Sequence, residues 1–144
     1  PEKKRLEILA KNLKNVEFKS TLPHSRIPNL IAKADAIIHS LKKVKLFEYG
    51  VSPNKLYDAY AIGRPVITST PGIINEEVEQ KRIGVTSPAE DPKELAKAIK
   101  KLLRMSRSER VAMGNRARKL AEEVYSRDKI NKSYEKIFNK YLKI

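Results

Sequence analysis

Residues 49 to 72 read YGVSPNKLYDAYAIGRPVITSTPG, and Gly50, Val51, Ser52, Pro53, Asn54, Lys55 and Asp58 within them have types and spacing that could do chemistry. Ser52 is a favoured N-cap and Pro53 a favoured first helical residue, so a helix is predicted from Pro53 to about Ile62. The unpaired amides and positive dipole end of such a helix favour an anion. Gly50 lets the backbone approach a ligand, and Lys55 adds a point charge. Asp58, four residues after Asn54, shares its helix face, and its carboxylate could accept hydrogen bonds from a vicinal diol such as a ribose. The same residues also read as plain packing: a capped helix, a solvated Lys55, and Asp58 paired with Lys55 or Arg64. Gly63-Arg64-Pro65 reads as a helix stop before a strand.

An anion site of this kind needs a scaffold that presents the helix start at the right edge of a sheet. The chain opens in a helical pattern with Leu6, Leu9 and Leu13 on one face, followed by a short predicted strand from Val16 to Lys19. Pro28 suits a first helical position, and Ile27, Leu30, Ile31 and Ala34 form the next apolar face. "ADAIIHS" reads as a strand covered on both sides. "PVITST" and "IGVTS" read as further strands, with the acidic helix "INEEVEQ" between them. Asp91-Pro92-Lys93-Glu94 and Ser106-x-x-Glu109 are helix start signals. Leu95, Ile99, Leu102 and Leu103 form the core face of the first of these helices; Val111, Leu120 and Val124 help supply that of the second. Ser126 caps a last helix on which Ile130, Tyr134, Ile137, Phe138 and Tyr141 align as core residues. The alternation predicts one α/β domain over residues 1–144: a Rossmann-like parallel sheet of four strands, flanked by helices, with a helical C-terminus. Because the chain starts in a helix, its opening βα unit is expected to be missing.

Composition bounds the function. At 144 residues with 40% hydrophobic content, the chain can bury one core. It has no cysteine and two histidines, His24 and His39, which leaves no thiolate site and no His-rich metal site. No signal peptide and no membrane-spanning run is legible. One glutamine, no cysteine and abundant Lys, Glu and Ile form a bias seen in hyperthermophile proteins, pointing to a thermophile source. The net charge of +14 is concentrated after residue 96, where the chain carries +10. Such a tail attracts nucleic acid, anionic lipid or a phosphorylated ligand, or is simply a solvated helical surface.

The order NVEFKSTLPHSRIPNLIAKADAIIHS, GVSPNKLYDAYAIGRPVITSTPGI, GVTSPAEDPKELAKAIKKLL and MGNRAR resembles the C-terminal, donor-nucleotide-binding half of GT-B fold glycosyltransferases over residues from about 12 to 125. It is most similar to family four, in the surface-polysaccharide branch with a Ser-Pro-Asn-Lys-Leu-x-Asp signature. The resemblance implies a donor diphosphate at Val51 to Asn54 and ribose at Asp58, where the family more often has Glu. It places Thr21 and Leu22 near the base, and Gly72 and Ile73 at the pocket border. The family's sugar-contacting acid falls on Gly50 here; Glu48, two residues earlier, substitutes only if the loop bulges. Retaining transfer of a sugar from a nucleotide donor, a UDP-sugar, to a glycan or lipid-linked acceptor is implied, in the cytoplasm or at the inner face of the membrane. No metal and no other cofactor is implied. An acceptor-binding N-terminal domain is implied as a partner, without which this chain should bind donor weakly and not catalyse transfer.

Three other readings compete. A basic nucleic-acid-binding module fits the charge, but the chain has 6% aromatic residues and no reading motif, which disfavours it. A membrane-surface module of basic amphipathic helices is compatible with the transferase. A nucleotide-sugar epimerase of the same fold is the third.

Overall fold

The run Val66-Ile67-Thr68-Ser69 is β-branched or small at every position, and it forms the central strand of the sheet. The structure, a computed structural model, describes residues 2–142. In chain order these form α1 (Glu2–Leu9), a 3-10 turn (His24–Arg26), α2 (Ile27–Ala32), β1 (Ile37–Ser40) and α3 (Lys45–Glu48). There follow α4 (Asn54–Ile62), β2 (Val66–Ser69), α5 (Ile73–Gln80), β3 (Gly84–Ser87), α6 (Pro92–Arg104), α7 (Arg107–Glu123) and α8 (Arg127–Leu142). The strands lie in the order β1-β2-β3, and both pairs are parallel. This is the Rossmann-like α/β arrangement that the alternation of strand and helix predicts.

Successive residues of β2 point to opposite faces, so one strand anchors two layers. Val66 packs with Leu56, Ala59 and Tyr60 of α4, Ile74 and Val78 of α5, and Ala117 and Leu120 of α7. Ile67 and Val85 pack on the other face with Ala98 and Leu102 of α6. Each such buried aliphatic side chain contributes about 1.5–3 kcal/mol. The predicted start signals hold. Asp91 accepts from the amides of Lys93 and Glu94 at 3.0 Å each. Ser106 and Glu109 form the reciprocal capping box.

Five sheet and core expectations are corrected. Residues 16–19 form no strand: Val16 and Phe18 are exposed, and no ladder reaches them among the described residues. An extended segment without a paired neighbour leaves its backbone groups to water. β1 is not covered on both sides, because Ile38 is 45% exposed. Ile38 lies in register with Ile67, on the face that α6 covers over β2 and β3 only. On α8, Ile130, Tyr134, Ile137, Phe138 and Tyr141 are exposed, and the helix has no buried residue. Leu103, Val111 and Val124 are likewise exposed, whereas Leu102 and Leu120 are buried. Leu6, Leu9 and Leu13 are exposed too, and Leu13 lies outside α1.

Gly63 ends α4 in the left-handed conformation, φ 73°, as the helix-stop reading requires. The turn it makes lies against α7: a Cβ on Gly114 would stand 2.0 Å from the Gly63 carbonyl oxygen. Alanine at 114 would gain about 1 kcal/mol of helix propensity, but overpacking a rigid backbone contact costs about 1–3 kcal/mol. Gly114→Ala should therefore lower the urea midpoint at unchanged m-value, whereas an unchanged or raised midpoint would show the contact to be slack.

Candidate functional site

The loop after β1 and the turn after β2 meet at the carboxyl edge of the sheet, and two glycines allow it. A Cβ on Gly72, φ +67°, would lie 2.3 Å from the carbonyl oxygen of Glu48. A Cβ on Gly50, φ +134°, would lie 3.0 Å from Cδ1 of Ile73. Only glycine fits the first of these contacts, since the obstacle is backbone. Glu48, Gly50, Gly72 and Ile73 are thus brought beside the Val51–Asn54 loop. Val51 is half-buried against the core cluster under α4, which pins the loop.

The start of α4 differs from expectation by one residue. Pro53, φ −85° and ψ 109°, is the N-cap and Asn54 the first helical residue. Ser52 does not cap: its hydroxyl donates instead to the hydroxyl of Tyr57 at 3.4 Å. Among the described residues no side chain accepts from the first amides of α4, in contrast to the capped starts of α6 and α7. Those donors face the edge where ligands bind in open parallel sheets, and they favour an anion. Lys55 is exposed beside them, and Asp58 is half-buried on the same helix. Neither alternative partner holds Asp58: no ion pair to Lys55 or Arg64 forms among the described residues, and Arg64 donates to the carbonyl of Ala32. Thr21 is exposed and Leu22 half-buried on the irregular segment before the 3-10 turn. No hydrogen bond among the described residues joins them to the α4 loop.

Four residues at this edge escape a sequence reading. The side chain of Asn75 accepts from Thr68 and Thr70 at 2.7 and 2.9 Å and donates to the carbonyl of Ser87 at 2.8 Å. It ties the ends of β2 and β3 together, whereas by sequence it is only an early residue of an acidic helix. A cavity of about 340 Å³ lies alongside, lined by Ser40, Leu41, Lys42, Ser69, Glu90 and Leu95. Glu90 takes the amide of Lys43 at 3.2 Å, which joins the loop after β1 to the loop after β3. Their common signal is position: each of Lys42, Lys43 and Glu90 follows a strand end by two or three residues. Beneath α4, Tyr57, Tyr60 and Tyr125 cluster, with Tyr57 and Tyr125 rings 4.8 Å apart. Tyr60 and Tyr125 both donate to Glu77. Burial first, and that carboxylate, hold both phenols well above their ordinary range.

His39 faces α4 from β1, in register with Thr68. It is buried, and neither ring nitrogen has a partner among the described residues. Burial, and then the charge of Lys55, lower its pKa, so it is neutral at neutral pH. His24 is exposed. Among the described residues no three of His, Cys, Asp or Glu gather where they could hold a metal ion. No helix of the described residues is long and apolar enough to cross a membrane.

A parallel three-stranded sheet flanked by helices, with apposed glycine turns at its carboxyl edge, defines a Rossmann-like α/β domain. The sequence matches the family described as "Glycosyl transferases group 1" over residues 1–120. The chain belongs to that family, whose members are glycosyltransferases acting on nucleotide-sugar donors. No curated protein matches the sequence.

The lowered pKa of His39 has a consequence for stability. The unfolded chain takes up a proton near pH 6.5, the ordinary value for histidine, where the folded chain does not. Stability present above that pH is therefore lost as pH falls through it. The thermal midpoint should drop between about pH 7.5 and pH 5, and His39→Leu should flatten that drop. Identical slopes for the two proteins would assign the dependence elsewhere.

Proposed function

We infer that the chain is the donor-binding half of a retaining glycosyltransferase of the family-four, surface-polysaccharide type, with a UDP-sugar as donor. The observation that carries this reading is the uncapped start of α4 at the carboxyl edge of the sheet. The diphosphate sits on the first amides of α4 and the Val51–Asn54 loop, with Lys55 adding charge. Asp58 takes the ribose hydroxyls, and Thr21 and Leu22 lie towards the base. Gly72 and Ile73 border the donor sugar, and Glu48, whose backbone is held against Gly72, is the candidate acid at that sugar.

In the reaction the bond between the anomeric carbon and the diphosphate breaks. A bond to the acceptor oxygen forms on the same face, and the acceptor hydroxyl loses its proton. The charge left on the diphosphate is stabilised by helix-end amides and basic side chains, without a metal. The acceptor, a glycan or a lipid-linked sugar, is bound by a second domain. The uncovered aromatic face of α8, with Tyr134, Phe138 and Tyr141, supports a docking role towards that domain. Such a protein works in the cytoplasm, and its basic C-terminal helices suit the anionic inner face of a membrane.

Titration with UDP, UDP-glucose and pyrophosphate, followed by amide chemical shifts, tests the assignment. Shifts should cluster at Val51 to Asp58 for all three. Asp58→Ala should weaken UDP about ten-fold, the worth of a hydrogen bond to a charged group, and leave pyrophosphate unchanged. Nucleotide binding that bypasses these amides, or an Asp58→Ala effect equal for UDP and pyrophosphate, would overturn it.

A further inference from the structure

We propose that the molecule carries a second anion site, for a phosphate group, at the amino edge of the sheet, opposite the carboxyl-edge site. A cavity of about 290 Å³ lies there between the residues leading into β1 and β2 and the first half of α7. Its charged lining is Arg64, Arg107, Arg110 and Asp35, with Asn115 adding an amide and Val111 an apolar side. Three guanidinium groups against one carboxylate leave an excess of two positive charges.

The cations are not neutralised by the protein. Arg64 is held by the left-handed Gly63 on one side and by Pro65 on the other, and donates through Nη2 to the Ala32 carbonyl. Its Nε–H is buried and has no acceptor among the described residues. A buried donor on a charged group is seldom left unpaired, and an anion is the acceptor it lacks. Arg110 donates through Nη1 to the Met105 carbonyl at 2.5 Å. Its Nη2 stands 3.7 Å from Asp35, whose side chain is 79% exposed, so that pair neutralises little. Arg107, at the start of α7, is exposed and has no hydrogen bond or ion pair among the described residues. The chain holds 21 lysines and 10 arginines, yet all three cations here are arginine. Planar forks of this kind suit the several oxygens of a phosphate better than point charges do. The same chemistry serves a free phosphate ester or the phosphodiester of a lipid headgroup.

Inorganic phosphate titrated into the protein at constant ionic strength tests the site, with the arginine Nε–Hε NMR signals as readout. The Arg64 signal should shift and saturate. Arg107→Gln should weaken the affinity at least about ten-fold, and the charge reversal Arg107→Glu should abolish it. A second arm uses phosphatidylglycerol vesicles against phosphatidylcholine vesicles. Pelleting with the former alone, lost in Arg107→Glu, identifies a lipid headgroup as the ligand. Phosphate binding without pelleting identifies a free phosphate compound. The proposal falls if neither probe binds, if shifts are confined to the first amides of α4, or if both Arg107 variants bind as the parent does. That outcome would leave the carboxyl-edge reading standing, since its readout is at Val51 to Asp58.

Discussion

Burial of β2 on both faces is the constraint on which the rest of the structure depends. Its four residues have almost no access to water, so every helix that packs on the sheet is placed by what β2 presents. Val66 fixes the layer of α4, α5 and α7, and Ile67 fixes α6. Because the strands are parallel, the helices that follow β1 and β2 both start from the carboxyl edge, and α4 and α5 lie on the same face. The candidate site is where these placements converge, so its geometry follows from packing that it does not itself contribute.

The glycines show how the convergence is held tight. Gly72 lets the turn after β2 touch the backbone of Glu48, and Gly114 lets α7 touch the turn at Gly63. One contact closes the carboxyl edge and the other closes the amino edge. Between them the segment leading to α4 and the turn that ends it are held in place, while the three tyrosines and Glu77 pack around α4. A helix held in this way can leave its first amides without a side-chain acceptor, because tertiary contacts rather than a cap stabilise it.

Local signals in the sequence were legible where the chemistry is local. Asp91, Ser106 and Gly63 act through neighbours two to four residues away, and each does what its type and spacing predict. Ser52 is also a favoured cap type, but Lys55 stands where Ser106 has its partner Glu109, and a tyrosine five residues on takes the Ser52 hydroxyl. Val16 to Lys19 has strand composition, but composition supplies no pairing partner. Ile38 and the aromatic residues of α8 read as core because periodicity shows a face without showing what covers it. At the site, Gly50 to Asp58 stood out as a motif. Asn75, Lys42 and Glu90 did not, since their role comes from strand ends that only the fold brings together.

The uncovered state of α8 divides the molecule into two cooperative units. A sixteen-residue helix with no buried residue draws little from the sheet core, and tertiary packing supplies most of a helix's stability in water. Heating should remove its share of the helical signal before the layers around β2 separate, so unfolding is not all-or-none. A partner that covers the Tyr134–Tyr141 face would merge the two transitions into one. The melting profile, read by far-ultraviolet circular dichroism, thus reports on docking without reference to any catalytic activity.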